Sequence, residues 1–204
     1  GLLANAFITD ERRGAMRHED CLILVTDKNI TTIDEVLPVL EIAARDGRPL
    51  ILIAEDISGQ ALAAMIMNSM KGSMKVAGIK APRYGEERRN ILSDLAISTG
   101  ATFVSRESGL QFRSLKLEHF GTAQTVEAGK SFTTIVGGNQ DDEAVEERIN
   151  SLKAQIENEE SINICEKIQE RITRLASAIA IIKVGGLTEV EMIEKKHRVE
   201  DALE

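Results

Sequence analysis

Over the first hundred residues, short apolar runs alternate with longer segments of helical periodicity. Cys21-Leu22-Ile23-Leu24-Val25 is an unbroken apolar run that fits a buried strand. Thr32 is placed to N-cap a helix over residues 33–45, and Asp46-Gly47 ends it, with glycine suited to a left-handed C-terminal position. After Pro49, residues 50–54 form a second apolar run. Ser58 or Gly59 opens a second helix through Met70, stopped at Gly72, and residues 76–79 give a third strand. A third helix is predicted over 86–98, and residues 101–104 resume the sheet. Strands and helices in strict alternation with short loops imply parallel pairing and right-handed crossovers.

The texture then changes. Residues 124–127 and 131–136 alternate as strands, and Ala128-Gly129-Lys130 reads as the turn of a hairpin. Residues 141–157 place Ala144, Val145, Ile149, Leu152 and Ile156 on one helical stripe. Residues 163–178 do the same with Ile164, Ile168, Ile172 and Leu175, continuing to Ile179, and residues 158–161 join the two as an antiparallel pair. A last strand is predicted over 181–184, then a charged helix over 188–204, with Thr188 and Glu191 in capping-box spacing. The fold class is therefore α/β: a Rossmann-like strand–helix core, an added β-rich segment, a C-terminal helical pair, and the start of a further helical segment.

Length and charge narrow the possibilities. The 204 residues carry 25 basic and 33 acidic side chains, a net charge of −8. That balance speaks against a dedicated nucleic-acid binder, which needs Lys and Arg to neutralise phosphates. The acidity is uneven: residues 1–140 hold 16 basic and 17 acidic residues, and residues 141–204 hold 9 and 16. Nothing approaches the ~20 apolar residues of a membrane span. The two cysteines, Cys21 and Cys165, lack metal-ligand spacing and read as buried thiols of a reducing, cytoplasmic compartment. The sequence opens without Met and closes inside a helical pattern, so it reads as a piece of a longer protein.

Catalytic motifs are sparse. Gly129-Lys130-Ser131 resembles the end of a phosphate-binding loop, but Gln124 stands where the first glycine belongs, and the segment lies in a hairpin. His18, His119 and His197 are separate, in polar surroundings, and read as solvated side chains; no metal site is expected. The anomaly is an apolar surplus on the first two helices. Val36, Val39 and Ala43 form one stripe of the first, and Leu37, Leu40 and Ala44 its neighbour. On the second, Ala63, Met67 and Met70 share one face, and Leu62, Met65, Ile66 and Ser69 another. A crossover helix needs an apolar arc of about 100° to cover its sheet. Either another layer buries the surplus, or it forms a two-helix face for partners, to which flexible methionines are suited.

Longer stretches carry a family resemblance. The run from Ala180 through Lys183-Val184-Gly185-Gly186-Leu187-Thr188-Glu189-Val190-Glu191-Met192, continuing to Arg198-Val199-Glu200-Asp201-Ala202, resembles group I chaperonins of the GroEL type. So do Leu37-Pro38-Val39-Leu40-Glu41, Pro49 through Asp56, Ala61-Leu62-Ala63, Asn68-Ser69-Met70, and residues 76–82 with Glu87-Arg88-Arg89. The resemblance implies an apical, polypeptide-binding domain over residues 1–179 and part of an intermediate domain over 180–204, with the equatorial ATP-binding domain outside this sequence.

It further implies a molecular chaperone, working in a homo-oligomeric ring driven by ATP and Mg2+, with no cofactor in this segment. Non-native polypeptides and a lid-type co-chaperonin would bind Leu37 and Leu40 on the first helix, Leu62, Ile66, Met67 and Asn68 on the second, and Leu2, Ala6 and Phe7 before them. Asp201 matches the aspartate that serves ATP hydrolysis in the full assembly, and Glu189 a position used in salt bridges between subunits. The family usually carries tyrosines where this chain has Leu2 and Ala6, and Gly-Phe where it has Arg83-Tyr84. Two other classes stay open from the residues: an oligomerisation domain with the apolar helices buried between subunits, and a Rossmann-like enzyme with its ligand at the C-terminal strand ends.

Overall fold

A computed structural model describes residues 1–138 and 140–183. The helix expected over 188–204, with Glu189 and Asp201, lies outside the described residues.

The chain is mixed α/β. Its main sheet has seven strands. Strands β1 (Met16–Thr26), β3 (Leu50–Ala54) and β5 (Val76–Lys80) pair in parallel, linked by helices α1 (Ile33–Asp46) and α2 (Gly59–Lys71). Helix α3 (Gly85–Thr99) returns the chain to β6 (Phe103–Val104), parallel to the C-terminal end of β1. The hairpin β7 (Gly121–Ala128) and β8 (Phe132–Gly137) pairs antiparallel to the rest of that edge. Helices α4 (Asp142–Glu157) and α5 (Ile162–Ser177) follow, and β9 (Ile179–Lys183) closes the order β5-β3-β1-β7-β8-β9. Two short strands, β2 (Asn29–Ile30) and β4 (Asp56–Ile57), form a separate parallel pair that the sequence pattern does not announce.

The order of the parallel strands dictates the layers. From β1 to β3 to β5 the chain steps one way, so right-handed crossovers put α1 and α2 on one face. From β5 it steps back past β1 to β6, and the same handedness puts α3 on the other face. Covered on both sides, residues 21–26 and 50–54 are all buried. The sheet also curls: Ile53 and Ile79 from one end line the same small cavity as Ile135 and Ile182 from the other. Where α3 ends against β7 the approach is so close that a Cβ on Gly121 would lie 2.5 Å from the Thr99 carbonyl oxygen.

Several elements depart from the sequence expectation for local reasons. Strand β1 begins five residues early because its polar half pairs with β7, with Arg17 opposite Glu127 and bonded to it at 3.2 Å. Strand β6 shrinks to two residues because the Ala101 N–H is spent on the Ala96 carbonyl at the end of α3. Strand β9 straddles the expected boundary after residue 179 and belongs to the main sheet. Ile164 and Ile179 leave the apolar stripe of α5: Ile164 is exposed near the hairpin tip, and Ile179 is an exposed strand residue. Cys21 is buried, and burial first, then Asp20 and Glu19, push its thiol up to about 12; Cys165, expected to be buried as well, is only half-buried. His18 is half-buried rather than solvated, and that burial, then Lys75, lowers its pKa. The His119 Nδ1 accepts the Lys116 N–H at 2.9 Å.

The α4–α5 hairpin is fastened to α3 by Asp94. Its carboxylate is buried, and takes the Arg148 Nη1 at 2.6 Å and the Arg171 Nε and Nη2 at 2.6 and 3.0 Å. Around it, Leu152, Ile168, Ile172 and Leu175 form a second apolar cluster against Ile97 of α3. Removing one member of such a buried set leaves unpaired charge, which costs ~3 kcal/mol. Asp94→Ala is expected to lower stability by about that amount in urea denaturation, with amide exchange accelerating first in α4 and α5. An unchanged midpoint would show that the apolar cluster alone holds the hairpin.

Candidate binding face on the first two helices

Helix α1 starts where its cap chemistry is satisfied. The Thr32 hydroxyl accepts the Glu35 N–H at 3.3 Å, and the Glu35 Oε1 accepts the N–H groups of Thr31 and Thr32 at 2.9 and 3.1 Å. It stops at Gly47, left-handed with φ 91°. Between these ends the helix is split by depth. Val36, Val39 and Ala43 are buried, as is Leu40 at 4% exposure, whereas Ile33 and Leu37 remain 42% and 45% exposed.

Helix α2 shows the same division. Ala61 and Met65 face the core, Leu62 and Ile66 are half-buried against it, and Met67 and Met70 stand 53% and 74% exposed. The two helices pack side by side. The N-terminal segment completes this side of the molecule. Leu2 bridges to Ile79 on the free edge of β5, and the Leu3 N–H donates to the Gly78 carbonyl at 3.0 Å. A 3-10 turn at Asn5–Phe7 follows, held to α2 where the Ser69 hydroxyl reaches the Ala6 carbonyl at 3.4 Å.

The expected site residues therefore fall into three groups. Leu37 and Met67 are exposed. Leu2, Ala6, Leu62, Ile66 and Asn68 are half-buried. Leu40 and Phe7 are core residues that anchor α1 and the N-terminal turn, and they present no surface in this conformation. The Asn68 side chain is bonded locally: its Nδ2 donates to the Ala64 carbonyl at 2.8 Å, and its Oδ1 accepts the Ser73 hydroxyl at 3.1 Å. Ile33 and Met70 are also exposed on these two helices. Ile33 opens its helix, where periodicity carries little information, and Met70 was visible only as a member of a stripe.

Two other places deserve comparison with this face. A cavity of about 950 Å3 lies between α3, α5 and β9. Its walls mix charged groups, with the Lys167 Nζ 3.5 Å from a Glu87 carboxylate oxygen, with apolar side chains, of which Ile164 and Ile181 are exposed. The C-terminal ends of the parallel strands, where a Rossmann-like enzyme would bind its ligand, are filled by the chain itself. Thr26 Oγ1 donates to the Val104 carbonyl at 2.6 Å, and Lys28 Nζ donates to the Leu110 carbonyl at 2.8 Å while lying 5.2 Å from the centre of the Phe112 ring. Phe112 and Leu115, in the segment that follows β6, are buried.

Among the described residues no group of three or more His, Cys, Asp or Glu could hold a metal ion, and no helix is long and apolar enough to cross a membrane. No family model matches the chain.

The cap that sets the start of α1 also sets the position of Ile33 and Leu37. Burial alone would raise the Glu35 carboxyl, but the Thr31 and Thr32 N–H groups outweigh it and bring it below its ordinary 4.5. A depressed folded-state value means that the Glu35 contribution is complete above pH 4.5 and is lost as pH falls through the lowered value. The stability difference between the wild-type chain and Glu35→Gln, followed by thermal unfolding, is expected to shrink as pH falls below 4.5. Thr32→Ala is expected to cost ~1 kcal/mol at pH 7.

Proposed function

We propose that this chain is a polypeptide-binding module of the apical type found in group I chaperonins, capturing exposed apolar segments of non-native proteins on α1 and α2. The observation that carries the reading is the division of labour within these helices. Each already covers the sheet with one buried stripe, and each still exposes large apolar side chains, Ile33 and Leu37 on α1 and Met67 and Met70 on α2. Surface apolar residues are common one at a time, and the reading rests on the same surplus recurring on two helices that pack side by side.

The energetics suit capture and release. Non-native chains differ from native ones in exposed apolar area. At ~25 cal/mol per Å2, burying a few side chains on this face yields a few kcal/mol, weak enough to reverse. Several copies in a ring would raise effective concentration and turn weak contacts into firm capture. On this reading the parent protein is an ATP-driven ring, and a lid-type co-chaperonin shares the same face. ATP, Mg2+ and the roles of Asp201 and Glu189 belong to that assembly, outside the described residues.

The test is binding to a chemically unfolded model protein, with its native form as control. The chain is expected to bind the unfolded form selectively, and Leu37→Glu/Met67→Glu to weaken binding at least about tenfold while keeping the fold, since both residues are exposed. Presenting several copies on one scaffold is expected to tighten binding through avidity. Leu40→Glu is a poor substitute, because a charge at that buried position is expected to unfold α1. Equal binding to native and unfolded forms, or no effect of the double substitution, would overturn the reading. A concentration-dependent oligomer in sedimentation, broken by the same double substitution, would instead assign the face to contacts between subunits.

A further inference from the structure

The apolar surplus of α2 is made of thioethers, and that chemistry can be altered. Met67 and Met70 are one turn apart and the most exposed methionines among the described residues. Met74 is half-buried, and Met16 and Met65 are fully buried. Solvent access governs the rate at which a peroxide reaches methionine sulfur, so among the described residues exposed methionines differ from buried ones in reactivity, and the exposed ones lie on α2. We propose that Met67 and Met70 form a peroxide-sensitive modification site whose oxidation converts this face from apolar to polar and switches its binding off. The inference rests on the reading of α1 and α2 as an apolar binding face.

The step balances with one co-reactant, a hydroperoxide. Its distal oxygen is transferred to the thioether sulfur, the O–O bond breaks, and an S–O bond forms. Sulfur loses two electrons, and the peroxide leaves as an alcohol, or as water when hydrogen peroxide is used. The product sulfoxide carries a strong hydrogen-bond acceptor. Docking an apolar segment over it would desolvate that acceptor without giving it a donor, an unfavourable exchange. Nothing in the core changes, because Met65 holds α2 to the sheet from the protected side. The reaction is reversible by methionine sulfoxide reductases, which suits a switch rather than damage.

Hydrogen peroxide treatment of the folded chain, followed by peptide mass spectrometry, is expected to oxidise Met67 and Met70 at least about tenfold faster than Met16 and Met65. Two binding readouts accompany it: an apolar fluorescent dye and a chemically unfolded model protein. Both are expected to fall about five- to tenfold on oxidation and to recover after reductase treatment. Met67→Leu/Met70→Leu is expected to keep both kinds of binding and to lose their sensitivity to peroxide. Uniform oxidation rates, unchanged dye binding after Met67 and Met70 are oxidised, or equal peroxide sensitivity in the leucine variant would each overturn the proposal. If the untreated chain ignores unfolded protein while peroxide still abolishes dye binding, the functional reading fails and the modification site stands.

Discussion

The backbone of β1 is hydrogen-bonded along both edges: to β3 on one side, and on the other first to β7 and then to β6. That sharing of one edge between an antiparallel and a parallel partner makes β1 the place where the chain reverses direction across the sheet. The reversal in turn separates the helices. Helices α1 and α2 belong to the run that steps away from β1, and α3 to the run that steps back. The α4–α5 hairpin follows α3, because Asp94 and the apolar cluster around Ile97 tie it there. Among the described residues no further α-helix forms a layer over the outer surface of α1 and α2, although the 3-10 turn at residues 112–114 packs against α1. The exposure of Leu37 and Met67 is thus a consequence of strand order as much as of their own chemistry.

The same layout explains why the strand ends are closed. In an open α/β sheet the reversal point leaves a crevice at the C-terminal ends of the strands, the usual seat of a ligand. Here the chain after β6 folds over that crevice, and Lys28, Leu110 and Phe112 fasten it. The Lys28 ammonium finds both a carbonyl oxygen and an aromatic face, so the closure is satisfied in polar as well as apolar terms. The crevice between β1 and β6 is thus occupied by the chain itself, while a cavity of about 680 Å3 opens beside it between α3 and the residues that follow β6.

What the sequence disclosed and what it hid follow from burial. Residues 21–25, 50–54 and 76–79 read as strands because parallel strands covered on both faces must be apolar without interruption. The polar half of β1 carries no such signal, since Arg17 and Glu19 are strand residues only by virtue of a partner strand about a hundred residues away. Asp94 reads as an ordinary helical charge until Arg148 and Arg171 arrive from elements 54 and 77 residues further on. At the candidate site the surplus of apolar residues is plain from periodicity, but its depth is not. Leu37 and Leu40 are three residues apart and alike in chemistry, and one is exposed while the other is core. Only the angle at which α1 rests on the sheet decides between them, and that angle is a tertiary quantity.

This division has a consequence for how such a face can change. If one side chain both held the helix and bound the partner, every adjustment of grip would cost stability. On α1, Val36, Val39, Leu40 and Ala43 hold the helix, and Ile33 and Leu37 are free of that duty. On α2, Ala61 and Met65 hold, and Met67 and Met70 are free. Substitution at exposed positions is normally close to neutral for stability. The outward stripe can therefore vary in size, shape and polarity while the inward stripe keeps the fold. The N-terminal edge fits the same logic. Leu2 pairs with β5 through its backbone while its half-buried side chain packs on the core, and Ala6 contributes its carbonyl to the Ser69 hydroxyl, a contact for which side-chain identity is immaterial. Ala6 offers little side-chain area at that edge, and the exposed methionines of α2 are the flexible apolar surface on the neighbouring helix.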